Sequence, residues 1–237
     1  MRVVSLFSGA GGLDFGFIKA GHQILWANDL YRDAVETYQK NIGNHIVCED
    51  ISKISTSDIP DCDIVIGGFP CQGFSVANTK RHVDDERNVL YKQLLRVIRD
   101  KNPKFFLAEN VKGILSIGKG KVFQMILDDF QSIGYNVQYR VLNAADYGVP
   151  QTRLRVIIVG VRKDVHFEYK YPSPTNSKDG ANGLPRWVSV SDALKDIPDP
   201  DLPNNLPNHN YSKYKLSFNG YIGHRPLNPD MPCLLYT

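Results

Sequence analysis

Cys71 lies in the stretch DIVIGGFPCQGFS, Asp63 to Ser75, directly after a strand-like apolar run and framed by Pro70 and Gln72. A thiol delivered at a strand exit, with a proline fixing its approach, is placed where backbone amides and loop cations favour the thiolate, the nucleophilic form. Such a nucleophile needs an acid or a polarising partner. Glu109, at the end of the apolar run FFLAENV, is expected to be buried enough to carry a proton near neutrality. In QTRLR the residues Gln151, Arg153 and Arg155 alternate, so they share one face of an extended segment. Two guanidiniums there can hold a substrate oxygen and balance the local charge. The plainer alternatives are a helix cap for Glu109 and solvated edge decoration for the arginines. The apolar VIIVG that follows makes the strand a central one and weighs against decoration. The other cysteines, Cys48, Cys62 and Cys233, are expected to be small buried hydrophobes.

A second constellation opens the chain. LFSGAGGLDFG carries glycines at 9, 11 and 12, which allow a tight turn and close approach of backbone to a ligand at a helix N-terminus. A dinucleotide-binding turn would have a third glycine where Asp14 stands, and an acid there suits a cofactor bearing a positive charge or an amino group better than a pyrophosphate. Asp29, at the end of the second apolar run, is positioned to accept hydrogen bonds from ribose hydroxyls. Asp50 and Ile51, after the third, offer a carboxylate to an amino group and an apolar cover to a purine. Each acid alone reads as readily as a cap. Three at successive strand ends point to an adenosine site.

These groups converge only if the elements between them form one sheet. Short apolar runs at 3–7, 23–28, 46–48, 64–67, 105–109, 137–142 and 156–161 alternate with helical periodicity at 13–20, 32–41, 89–101 and 121–133. That alternation predicts an α/β fold, a doubly wound, mostly parallel sheet of Rossmann-like type. Cys71 and Glu109 then share a pocket provided that the fourth and fifth strands are neighbours. The predicted catalytic domain is 1–163. Beyond it, prolines and asparagines thicken in YPSPTNSKDGANGLPRW and DIPDPDLPNNLPNHN, so 164–237 reads as an irregular extension with one short helix at 189–194.

Composition sets the bounds. The 237 residues suit one full α/β domain, and 42% hydrophobic with 22% charged residues describes a globular chain able to bury a core. A net charge of +3 does not by itself imply a nucleic-acid partner. The four cysteines show neither C-x-x-C pairing nor zinc-ligand spacing, so no metal is expected and a reducing compartment fits. No apolar run is long enough for a membrane span, and the expected location is cytoplasmic.

Taken in order, LFSGAGGLDFG, ND, DI, GGFPCQGFS, RNVLY, ENV and QTRLR resemble the motifs of the cytosine-C5 DNA methyltransferases, over residues 1 to about 163. Singly some pieces are unspecific; their order is not. The resemblance implies S-adenosylmethionine as cofactor, double-stranded DNA with a flipped cytosine as substrate, and a place in restriction-modification. Cys71 would add to cytosine C6, Glu109 would contact N3 and the exocyclic amine, Arg155 would contact O2, and Arg153 would support Cys71 and its loop. Phe7 resembles the aromatic contact to adenine, Gly9, Gly11 and Gly12 the loop near the methionine part, Asp29 the ribose acid, Asp50 the adenine amino contact, Ile51 the apolar cover, and Pro70 and Leu90 further wall positions. The loop from Ser75 to Arg87 corresponds to one that closes over the flipped base.

The family commonly has a glutamate where Asp29 stands and an aromatic at Leu30, which bears on affinity. It also continues into a target-recognition region and two further motifs. Residues 164–237 are expected to hold the start of that region, with Arg186, Trp187, His224 and Arg225 as candidate DNA contacts, and the chain is expected to be truncated or to need a C-terminal partner subunit. Three alternatives stay open: a tRNA cytosine-C5 methyltransferase with the same motifs, an inactive or split subunit, and a nicotinamide dehydrogenase, which would share the first turn and the ribose acid but has no use for Cys71, Glu109 and the arginines.

Overall fold

The computed structural model describes residues 1–70 and 89–198, together with 203 and 205. Cys71, the loop 75–87, His224, Arg225 and Cys233 lie outside the described residues. The chain divides into two compact units. One is Met1–Val141 with Arg155–Tyr171, and the other is Leu142–Leu154 with the chain from Pro172 onward.

The first unit is built on a seven-stranded sheet. Its strands are β1 (Arg2–Leu6), β2 (Gln23–Asp29), β3 (Ile46–Cys48), β4 (Ile64–Gly67), β5 (Phe105–Val111), β6 (Tyr135–Asn143, whose last two residues fall in the second unit) and β7 (Leu154–Arg162, from Arg155 in the first). The helices are α1 (Gly12–Lys19), α2 (Arg32–Asn41), α3 (Val89–Lys101) and α4 (Lys121–Ser132). The order across the sheet is β3-β2-β1-β4-β5-β7-β6. The chain therefore winds outward from β1 in one direction and then from β4 in the other, which leaves a crevice at the carboxyl ends of β1 and β4.

Strand sequences show why both faces are covered. Along β5, Phe105 and Leu107 pack toward Val35 and Tyr38 of α2, whereas Phe106 and Ala108 join Leu94, Ile98, Ile126 and Phe130 of α3 and α4. β1 and β4 alternate in the same way, Val3 and Ile64 to one side, Val4 and Val65 to the other. Side chains two residues apart share a face of a strand, and apolar types at both parities can be buried only between two helical layers.

Two pairings decide where the chemistry sits. β4 and β5 are parallel neighbours, with Gly67 opposite Ala108. β7 runs antiparallel to β5, with Arg155 opposite Val111. An antiparallel neighbour brings its own start to the edge where β5 ends, so Arg155 reaches that edge from the opposite chain direction. β7 is also interior, between β5 and β6, as the run VIIVG predicts.

Cys62 is buried, and burial pushes its thiol up to about 11. Cys48 is not the buried hydrophobe expected of it. It is exposed, because β3 is a three-residue edge strand whose last two side chains lie at the rim, and its Sγ lies 3.7 Å from the Leu30 carbonyl.

In the second unit, α5 (Val190–Leu194) begins at a capping box formed by Ser189 and Asp192. Trp187, a candidate DNA contact by sequence, donates its indole N–H to Asp146 Oδ1 at 2.9 Å. The Asp146 carbonyl in turn accepts the amides of Thr175 and Asn176. Asp146 thus gathers the 172–187 segment, which a proline-rich loop needs because it has few backbone bonds of its own.

Candidate active site

The first crossover turn is shaped by its backbone. Phe7 adopts φ 53° and Gly9 φ 54°, so the chain leaves β1 through two left-handed conformations on either side of Ser8. Only the second is free of steric cost, and a non-glycine residue held at the first is a strained position of the kind found at binding sites. A methyl group added at Gly9 or Gly12 would meet nothing within 4 Å, so both border open space. Gly11 is also required by packing. A Cβ there would lie 2.1 Å from Ile42 Cδ1 and 2.8 Å from the Tyr38 ring, so this glycine lets α1 dock against α2.

Asn28 and Asp29 hold the crevice together. The Asn28 carbonyl accepts the Ser8 amide at 3.0 Å, and its side-chain amide donates to the carbonyls of Val47 and Glu49 at 3.2 and 2.8 Å. Asp29 accepts the Gly9 amide on Oδ2 at 2.7 Å and the Tyr31 amide on Oδ1 at 2.9 Å. Each carboxylate oxygen has a second lone pair, which is what two ribose hydroxyls would need. Sequence reasoning put Asp29 at the crevice and missed that it also fixes the glycine turn. It missed Asn28 altogether, although a fully buried asparagine at a strand end must find partners.

Asp50 caps the 3-10 turn Ile51–Lys53, with the Ser52 amide donating to its Oδ1 at 2.9 Å. That amide holds the carboxyl below the usual range, so it is an acceptor at neutral pH. The cap and the adenine-contact readings are therefore compatible, since Oδ2 takes no hydrogen bond among the described residues. Ile51 is buried, and Phe7 packs half-buried against the same cluster. Open space beside Gly9 and Gly12, the residual lone pairs of Asp29, and a charged Asp50 next to an apolar wall fit a nucleoside with an amino-bearing base. Pro70 and Leu90 are half-buried.

Asp14 does not serve the positively charged cofactor that the sequence suggested. It is fully buried, accepts the Ser5 hydroxyl at 3.0 Å, and has one oxygen with no partner. Burial pushes its carboxyl up to about 6.

At the ends of β4 and β5 lies the second half of the crevice. Arg155 Nε stands 2.8 Å from Glu109 Oε1, with side chains 19% and 27% exposed, so the acid lies against a guanidinium and not alone in an apolar pocket. A Cβ at Gly68 would come within 3.2 Å of Glu109 Oε2, so the carboxyl lies beside the segment that leads into Phe69, Pro70 and Cys71. Asn110, buried, donates to the Phe69 carbonyl at 3.0 Å while its own Oδ1 accepts the Val111 amide. Phe69 is buried against Tyr91 of α3, whose hydroxyl donates to Asp129 of α4. The chain is thus tied to the sheet and to both helices immediately before the cysteine. Arg153 belongs to the second unit, where Asn143 Oδ1 accepts its amide at 3.0 Å and its carbonyl accepts the Ala144 amide. Among the described residues no group of three His, Cys, Asp or Glu could hold a metal ion, and no helix is long and apolar enough to cross a membrane.

Comparison with known proteins agrees with this geometry. The family model for C-5 cytosine-specific DNA methylase matches residues 1–226. The type II methyltransferase M.NgoFVII of Neisseria gonorrhoeae is 49% identical over 207 residues, covering 86% of this chain and 55% of that protein. M.BsuRI of Bacillus subtilis is 41% identical over 225 residues, with 83% and 51% covered. Among solved structures, one described as a prophage-encoded DNA modification methyltransferase (E. coli) is similar with a TM-score of 0.68 at 32% identity, covering 84% of this chain and 56% of that one. The S. pombe Dnmt2 methyltransferase gives 0.60 at 25%, with 72% and 53% covered. The chain spans about half the length of the curated relatives it matches. With a doubly wound sheet and a crevice at the carboxyl ends of its central strands, the chain belongs to the C-5 cytosine-specific DNA methylase family.

Proposed function

We propose that this chain carries the cofactor-binding and catalytic part of an enzyme that methylates C5 of cytosine in double-stranded DNA, acting in the cytoplasm as part of a restriction-modification system. The reading rests on one observation above others: the Glu109 carboxyl, paired with Arg155, lies beside the Gly68 backbone three residues before Cys71.

Cytosine C5 is a weak nucleophile within its aromatic ring. Addition of the Cys71 thiolate to C6 forms an S–C6 bond and moves the ring's π electrons toward C5 and N3. Glu109 holds N3 and the exocyclic amine and supplies or shares a proton at N3 as charge develops there. Arg155, already against Glu109, donates to O2, and Arg153 steadies the cysteine's loop. S-adenosylmethionine, held by Phe7, Gly9, Gly11, Gly12, Asp29, Asp50, Ile51, Pro70 and Leu90, would supply the methyl group to C5. The C5 proton then leaves to a base, and its electrons re-form the C5–C6 double bond and expel the Cys71 thiolate. A stacked base cannot reach these groups, so the target cytosine must be flipped out.

The test is covalent trapping on a duplex containing 5-fluorocytosine with S-adenosylmethionine, because fluorine at C5 cannot leave as a proton. An adduct that disappears in Cys71→Ala supports the reading. Absence of adduct, even with a C-terminal fragment of a type II relative supplied in trans, overturns it. Running the same assay on an RNA duplex and on tRNA separates DNA from RNA as substrate.

A further inference from the structure

Arg96 lies on α3, yet its guanidinium does not face solvent in the usual way of a helical arginine. Its Nη2 donates to the carbonyls of Ile51 and Ile54, at 2.8 and 3.1 Å, and its Nε donates to Gln93 Oε1 at 2.8 Å. Ile51 and Ile54 bound the 3-10 turn that begins at Asp50, and the Ile51 carbonyl already accepts the Ile54 amide that closes the turn. One helical turn on, Asp100 Oδ2 accepts the Thr56 hydroxyl at 3.0 Å, so α3 braces the segment twice.

A 3-10 turn of three residues is weak by itself, and its carbonyl end has no intrinsic partner. Here the amide end is satisfied by Asp50 and the carbonyl end by a cation from an element more than forty residues away. From the other side Asn28 holds the Glu49 carbonyl. The carboxylate of Asp50 and the side chain of Ile51 are therefore aimed by contacts that themselves touch no ligand.

We propose that Arg96 is a positioning residue for recognition of the cofactor's base, setting the Asp50 carboxylate where it accepts from a purine amino group and so selecting a 6-amino over a 6-oxo purine. This rests on the reading of the crevice as an S-adenosylmethionine site. The planar fork bridges two carbonyls and a side-chain amide at once, which an ammonium cannot do in one geometry.

The experiment is calorimetric titration of the 237-residue chain with S-adenosylhomocysteine and with S-inosylhomocysteine, which differ only at the 6-substituent and the N1 proton that goes with it. The wild type is expected to prefer the amino ligand by about tenfold or more, the scale of a charge-assisted hydrogen bond. In Arg96→Met that preference falls toward parity, and in Arg96→Lys it is intermediate. Loss of folded protein lowers the binding-competent fraction for both ligands alike and leaves their ratio unchanged, so the ratio separates positioning from bulk stability. Should Arg96→Met not fold, Gln93→Ala, which frees only the Nε end, is expected to lower the ratio by a smaller amount. A variant ratio equal to the wild-type ratio overturns the role of Arg96 alone. Failure of the wild type to bind either ligand overturns the reading of the site, and the inference with it.

Discussion

Arg155 Nε and Glu109 Oε1 stand 2.8 Å apart at the start of β7 and near the end of β5, two strands that run in opposite directions. The Glu109 carboxyl is thus held by a guanidinium from the neighbouring strand. The pair is partly exposed, so its contribution to folding stability is small, and its value is orientation.

Glu109→Gln keeps the shape and removes the proton-carrying group. Turnover is expected to fall by about 10² or more, the usual scale for a lost general acid, with S-adenosylmethionine affinity within about twofold of wild type. Single-turnover methyl transfer measured beside cofactor titration checks both halves. Unchanged turnover would remove the role assigned to this acid.

Asn110 donates to the Phe69 carbonyl from a buried position. Asn110→Asp replaces that donor by an acceptor facing a carbonyl, which costs on the order of 1–3 kcal/mol. The rate of Cys71 alkylation by iodoacetamide should change in this variant, whereas that of the exposed Cys48 on β3 should not. Equal effects on both thiols would show that the bond is only structural.

Asp14 titrates near 6 because burial disfavours its charge. A carboxyl raised above its unfolded value binds more protons in the folded chain, so its penalty is absent below about pH 4, grows through the window from there to about 6, and is full at neutrality. Relative to Asp14→Asn, the wild type should therefore lose up to ~3 kcal/mol of stability between pH 4 and pH 7. Urea midpoints of the two proteins at the two pH values give the comparison, and parallel profiles would count against a buried titrating Asp14.

Gly160 faces Phe106 across the β5–β7 pair, and a Cβ there would fall 1.9 Å from the phenyl ring. Phe106 is itself wedged between Phe130 and Tyr135, with ring centroids 4.5 and 5.2 Å away. Gly160→Ala should destabilise by about 3 kcal/mol or more, at the upper end of core overpacking. Combining it with Phe106→Leu should recover part of the loss, as thermal melts would show.

Much of this molecule was legible in its sequence because the strands are apolar at both parities and the helices are amphipathic, so Ile64 to Gly67 and Val89 to Lys101 fall where the pattern puts them. The adjacency of β4 and β5, on which a shared pocket for Cys71 and Glu109 was conditional, is observed. What the pattern could not carry was direction and side-chain partnering. Alternation is the same in either direction, so the reversal of β7 was invisible. Arg96 resembles any helical arginine, and Asn28 any residue beside an acid, until their long-range partners are in place.

Asn28 and Asp29 take up the amides of Ser8, Gly9, Tyr31 and Glu49, which belong to three separate connections of the chain. Those four hydrogens have no independent way to open, since releasing any one loosens the dipeptide that anchors the others. In hydrogen-exchange measurements they should behave as one cooperative group with a common opening free energy. The crevice would then be present whole or not at all, and its assembly would report the completion of the β1–β2–β3 half of the sheet.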